Sequence, residues 1–262
     1  MHFRVLTIFP QMFEPFWTFG IIRKAIENKK ISASAVNIRD HAEDRHQVTD
    51  DRPYGGGSGM VMKPEPLAGA IRAASQKMPE AKTVLLTPQG RVFNQDLVRE
   101  LATFNGVILV CGRYEGVDER ICHDLIDYEI SIGDYVLTGG ELAGMIVIDA
   151  VTRLIPGTLG GEDAAENDSF SNGMLEHAHY TRPRIFEGEE VPEILLSGHH
   201  QEIENWRLTS SLMRTLLKRP DLLQQKALNR LELEILEKWR NEIRNILKFH
   251  RRDREALREK KE

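Results

Sequence analysis

Across the first 150 residues, short β-branched apolar runs alternate with stretches of helical periodicity, and few architectures accommodate that rhythm. The runs are Phe3–Phe9 (FRVLTIF), Ala33–Ile38, Thr83–Thr87 (TVLLT) and Val107–Cys111 (VILVC), each of strand length. Between them, Phe16–Asn28, Leu67–Lys77, Gln95–Phe104 and Val117–Ile126 carry apolar residues at helical spacing, with Asn94 placed to cap the third. Apolar strands separated by helices predict a mainly parallel sheet covered by helices. Gly139–Ile155 reads as a further helix. With 41% apolar and 29% charged residues the chain can build a core, which excludes a largely disordered or fibrous protein. No apolar run nears the roughly 18 residues of a membrane span, and MHFRVLTIFP lacks a signal-peptide pattern. Cys111 and Cys122 are too few for a disulfide framework, so a reducing cytoplasm is expected.

The texture then changes. Gly157–Gly173 (GTLGGEDAAENDSFSNG) is rich in glycine and acid and cannot bury enough surface to fold alone. Beyond it the chain is first extended and punctuated by proline, and helical from about Glu202, with one apolar stripe through Trp206, Leu208, Leu212 and Leu216 and a second through Leu228, Ile235, Trp239, Ile243 and Leu247. The expected division is an α/β domain over 1–157, a flexible linker over 158–173 and a small, mostly helical C-terminal domain over 174–262. Residues 201–262 hold 16 Lys/Arg against 11 Asp/Glu, whereas the first 200 hold 19 against 29. A basic tail section on an acidic body suits either a polyanion partner or a solvated charged helix; charge alone leaves both open.

Three glycine clusters narrow the chemistry. Pro53–Met60 (PYGGGSGM) contains Gly-x-Gly-x-Gly, but it follows the polar run TDDR rather than a strand, so a dinucleotide site is excluded. No Gly-Lys-Ser/Thr is present for a phosphate loop. Thr87-Pro-Gln-Gly90 and Cys111-Gly-Arg-Tyr-Glu-Gly116 follow two strands, and Ser131–Glu141 (SIGDYVLTGGE) forms the third cluster. Turns at the carboxyl ends of parallel strands, allowing close backbone approach, suit a small molecule held by main-chain groups. No Cys/His spacing resembles a zinc site, and no dedicated metal cage is visible. His46 lies before the first glycine cluster and reads as a surface histidine.

The ordered set PYGGGSGM, LTPQGR, CGRYEGVDER, SIGDYVLTGGELA, DAVTRLIPG, NDSFSNGMLEHAHYTRP and VPEILLSGHH resembles the bacterial tRNA (guanine-N1)-methyltransferases that modify guanosine 37, essentially from end to end. The resemblance implies a knotted fold of the SPOUT type, an α/β structure with helices on both faces of a mainly parallel sheet; periodicity alone could not have suggested a knot. It also implies S-adenosylmethionine as cofactor, tRNA as substrate, and a homodimer whose active sites combine the knot of one subunit with the C-terminal domain of the other. The cofactor would be held by Leu86, Thr87, Pro88 and Gly90 from the first turn and by Gly112, Arg113, Tyr114, Glu115 and Gly116 from the second. The third turn would supply Ile132, Gly133, Tyr135, Val136, Leu137, Gly139 and Gly140. Asp168 takes the family's general-base position, Arg153 that of a catalytic cation, and Glu115 a polar position near the methionine end and the target base. Asn167 departs from the acidic residue expected before that aspartate. The family is associated with Mg²⁺, for which Glu115 is the nearest carboxylate. Arg182, Arg184, Lys218 and Arg219, with Arg240 and Arg244, would meet tRNA phosphates.

Two rival readings remain to be weighed. An NAD- or ATP-dependent α/β enzyme is disfavoured by the misplaced glycines and the missing lysine. A non-catalytic RNA-binding adaptor should have lost the acid or the arginine, and this chain keeps Asp168, Arg153 and Glu115.

Overall fold

The computed structural model describes all residues except 162–164, 166 and 260–262, with the backbone alone for 251–259. The chain divides into two compact units, Met1–Ala165 and Glu166–Glu262, a division that falls within the expected linker 158–173. Residues 162–164 and 166 of that linker lie outside the described residues.

In the first unit, β1 (His2–Thr7) leads through a 3-10 turn into the short helix α1 (Glu14–Thr18) and α2 (Gly20–Glu27). The single helix expected over Phe16–Asn28 is therefore broken: Phe19 is extended (φ −126°, ψ 159°) and Gly20 has φ +62°, which glycine adopts at little cost. β2 (Ser32–Asn37) follows. The two-residue strands β3 (Asp50–Asp51) and β4 (Val61–Met62) pair antiparallel and frame PYGGGSGM. Next come α3 (Pro64–Lys77), β5 (Lys82–Val92), α4 (Gln95–Ala102), β6 (Gly106–Cys111), α5 (Arg120–Leu125), β7 (Tyr128–Ser131) and α6 (Glu141–Leu154). Asn94 caps α4 as expected, its side chain accepting from the Leu97 amide at 3.0 Å.

The five-stranded sheet has the order β2-β1-β6-β5-β7, and every pairing is parallel. β6 lies at its centre and is buried along its whole length. Val107, Leu109 and Cys111 pack on one face among residues of α2, α4 and α6, while Ile108 and Val110 pack on the other with α3 and α5. Each such aliphatic side chain contributes about 1.5–3 kcal/mol on full burial, which is why this run has no polar alternation. Because the chain leaves β5 inward to β6 and leaves β6 outward to β7, neighbouring strands exit in opposite directions. That reversal opens a crevice beyond their carboxyl ends.

β5 extends past the expected Thr87 by an excursion. Its ladder with β7 pairs Leu86 with Ile130, then pairs Arg91 with Ile130 again, so Thr87–Gly90 loops out between two stretches of one ladder. The Phe93 amide carries the pairing on to the Ser131 carbonyl at 2.7 Å.

In the second unit, α7 (His200–Lys218), α8 (Pro220–Gln225) and α9 (Arg230–Glu259) supply the helices, and the small hairpin β8 (Ile185–Phe186) and β9 (Glu189–Glu190) precedes them. The continuous helix expected from Glu202 is interrupted twice. Pro220 enforces the first break, and at the second Asn229 and Glu232 form a reciprocal capping box, with bonds of 2.9 and 2.8 Å that start α9 afresh. The extended segment before the hairpin is fixed by hydroxyls of α7. Thr215 accepts from the Leu175 amide (3.0 Å) and Ser210 from the Ala178 amide (3.0 Å), while Ser211 donates to the Leu175 carbonyl (2.5 Å).

Candidate active site

The three glycine turns converge. A cavity of about 310 Å³ opens at the carboxyl ends of β5, β6 and β7, between Leu85–Gln89, Gly112–Val117, Ile130–Gly133 and Tyr135–Gly140. Of the residues expected to hold a cofactor, Leu86, Thr87, Pro88, Gly112, Arg113, Tyr114, Glu115, Gly116, Ile132, Gly133, Tyr135, Val136, Leu137, Gly139 and Gly140 all line it. Gly90 does not. A Cβ on it would collide with the backbone of Glu129 and Ile130 in β7, so the absence of a side chain there lets β5 pass close to its neighbour.

The turns brace one another. The Gly140 amide donates to the Gly112 carbonyl at 2.9 Å, and Arg113 and Gly139 form an isolated antiparallel bridge. A side chain at Gly139 would strike Arg113, and one at Gly140 would meet the backbone of Cys111 at 2.8 Å. Gly116 (φ +125°) and Gly133 (φ +140°) take conformations that side chains rarely reach, and Tyr114 itself sits at φ +61°. Partial desolvation, followed by the charge of the Asp50 carboxylate, pushes the tyrosine hydroxyl above its ordinary pKa, although the ring is half exposed.

The PYGGGSGM loop, unassigned from sequence, packs behind the second turn. The Glu115 amide donates to the Met60 carbonyl (3.0 Å) and the Met62 amide to the Gly116 carbonyl (2.9 Å). Gly59 leaves the room that the Glu115 side chain occupies. The signal in the sequence was the clustering of glycines after the polar run TDDR. The structure corrects the expectation of no strand there, since Asp50–Asp51 form β3, but β3 turns back into β4 instead of feeding a helix, so the loop packs and is no phosphate loop.

The family model for tRNA (Guanine-1)-methyltransferase TrmD matches residues 1–225. The chain belongs to this family. A tRNA (guanine-N(1)-)-methyltransferase of Desulfatibacillum aliphaticivorans is 56% identical over 248 residues, covering 95% of each chain. Proteins of the same name from Dehalococcoides mccartyi (51% over 238 residues, 90% of this chain and 96% of the relative) and Chloroflexus aggregans (54% over 244 residues, 91% and 95%) match nearly as fully.

Within the chain, the candidate catalytic residues fall in three different segments. Glu115 is on the cavity wall. Arg153 is exposed in the last turn of α6 and is not among the lining residues. Asp168 belongs to the second unit, where its carbonyl accepts from the Ser171 amide at 3.1 Å in a turn that Phe170 closes through the Met174 carbonyl (2.7 Å). Of the expected phosphate contacts, Arg182 and Lys218 are exposed, Arg184 lies 3.8 Å from Glu190, and Arg219 pairs with Asp221 at 2.7 Å. Arg240 lies 3.6 Å from Glu237. These exposed pairs are weak enough for a polyanion to displace. Among the described residues no group of three or more His, Cys, Asp or Glu is placed to hold a metal ion, and no helix is long and apolar enough to cross a membrane.

Cys111, at the end of β6 beside the turns, is fully buried, and burial raises its thiol pKa well above the ordinary value, with the Glu141 carboxylate adding to the effect. Cys122 is only partly buried. Alkylation of the native protein at mildly alkaline pH is therefore expected to modify Cys122 first and to leave Cys111 untouched until denaturant is added. Peptide mapping after iodoacetamide treatment checks the order, and prompt labelling of Cys111 would contradict its placement.

Proposed function

We propose that this enzyme moves the methyl group of S-adenosylmethionine to N1 of guanosine 37 in tRNA. The observation that carries the reading is the convergence of the three turns on one cavity, inside a chain that belongs to a tRNA guanine methyltransferase family. At about 310 Å³ the cavity is at the lower end of the roughly 300–1,000 Å³ typical of small-molecule sites. Its walls suit this ligand: Leu86, Ile130, Leu137 and Ala143 offer apolar surface for an adenine ring, the glycine turns offer main-chain donors and acceptors, and Glu115 and Glu129 offer negative charge for a cationic end. When bound, S-adenosylmethionine would supply an electrophilic methyl group on a sulfonium.

The chain's own residues would manage the proton and the charge. Guanine N1 carries a proton, and Asp168 takes it. A carboxylate is a weak base for this task, so the electron density gathering on O6 must also be stabilised. Arg153 suits that role, because a guanidinium would donate in a fork to an oxygen. Glu115, a single carboxylate on the wall, would be the residue to hold a Mg²⁺, which would lend positive charge for the developing oxyanion. The exposed arginines of the second unit would position the RNA by its phosphates, with the flipped base carrying recognition. The same reading includes the knotted threading, a cytoplasmic location and a homodimer; Leu142 and Ile146 on α6, with Phe9 and Met12 in the same unit, leave large apolar side chains exposed, which supports the last.

The test is incubation with labelled S-adenosylmethionine and tRNA transcripts carrying G36-G37 or A37. Label on the first alone is expected. Label on both, or on neither with cofactor bound, would favour another substrate or the non-catalytic adaptor.

A further inference from the structure

We infer that Glu141 is a positioning residue for the cofactor site, holding two of its turns together through Arg113. The inference rests on the cofactor reading above. Glu141 begins α6 and is not on the cavity wall; its side chain is 1% exposed. One carboxylate oxygen accepts from the Thr7 hydroxyl at the end of β1, at 2.6 Å. The other lies 2.9 Å from Arg113 Nη2 in the turn after β6. Three segments far apart in sequence thus meet at one buried carboxylate.

Arg113 is fixed accordingly. Its guanidinium donates to the Thr138 carbonyl at 3.2 Å and lies 4.7 Å from the centroid of the Phe9 ring, and its side chain is 16% exposed. The cation is committed to its own fold, so Arg113 reaches the cofactor by its backbone rather than by its charge. The stretch it pins, Leu137–Gly140, is cavity wall. A buried pair deprived of one partner leaves the other charge uncompensated. Without the Glu141 charge the guanidinium would move toward water, and the bridge between Arg113 and Gly139 would loosen with it.

The experiment is calorimetric titration of S-adenosylmethionine into the wild type, Glu141→Gln, Arg113→Met and the double variant, with initial rates at saturating cofactor. Glu141→Gln is expected to weaken cofactor binding about ten- to a hundredfold while kcat stays within about twofold. The double variant is expected to bind no worse than the weaker single, the signature of one shared interaction. Additive losses would overturn the inference. So would a lowered Tm with cofactor affinity unchanged below the transition, because that outcome describes a merely structural residue. Should Glu141→Gln fail to fold, Thr7→Val decides, since it removes only the hydroxyl that orients the carboxylate and steadies the Phe9 amide (2.9 Å). It is expected to weaken binding about three- to tenfold, with recovery in Thr7→Ser, and unchanged binding in Thr7→Val defeats the inference. A wild type that binds no S-adenosylmethionine removes the cofactor reading along with it, whereas a wild type that binds beside an indifferent Glu141→Gln removes the positioning role alone.

Discussion

Alanine at Asp168 is expected to lower methyl transfer about a hundred- to ten-thousandfold while S-adenosylmethionine affinity stays within about twofold. The reason for the split is topological. The cavity is built from residues between Leu85 and Ala143, all in the first unit, and Asp168 is in the second. Deleting its carboxylate would remove the proposed acceptor for the N1 proton, and Asp168 is not among the residues that line the cavity. Asp168→Asn, which keeps the shape and loses the basicity, should fail equally. Single-turnover rates with saturating tRNA, set beside equilibrium cofactor binding, make the measurement. Residual activity within about tenfold of the wild type would take the base role away from Asp168.

The largest effect on stability is expected at Gly90. Alanine there drives a methyl group into the backbone of Glu129 and Ile130, and backbone held in a ladder on both sides of the excursion has nowhere to go. A loss of about 3 kcal/mol or more in urea unfolding is expected, in line with overpacking at a rigid site. Cofactor binding should fall as well, because Ile130 and Ser131 of β7 line the cavity. Gly116→Ala makes the comparison: no heavy atom lies within 4 Å of a Cβ there, so only its φ of +125° is penalised, at about 1–2 kcal/mol. If Gly90→Ala altered cofactor affinity and left stability unchanged, the steric reading would fail and Gly90 would act as a ligand-contacting residue.

Much of the first unit was readable because its strands are buried on both faces, and β6 could hardly be anything else. β7 was not. Its four residues, YEIS, offer one strongly apolar side chain, and it is a strand only because β5 lies beside it. The far half of β5 was hidden for the opposite reason: Pro88 and Gly90 signal a turn, and the turn exists, but the chain returns from it to the same partner. In the site, the three turns could be named because glycines at strand ends have a physical use. Their mutual bracing had no local signature. Arg113 and Glu141 lie in different turns, and nothing in either segment says that one neutralises the other. The role of Gly59 was equally hidden, since it depends on where Glu115 lies. Asp168 could be named only by likeness, as a solvated loop acid would look the same in composition.

The double pairing of Ile130 has one more implication. A strand stitched to its neighbour above and below an excursion cannot peel away from one end, since each seam protects the other. The pocket floor should therefore behave as rigid masonry, and any molecule must come and go over the rim formed by Tyr114, Tyr135 and Val136, whose side chains already face solvent. Rates of loading and release would then be set by the mobility of those three side chains and their turns, and substitutions that stiffen the sheet should leave them alone.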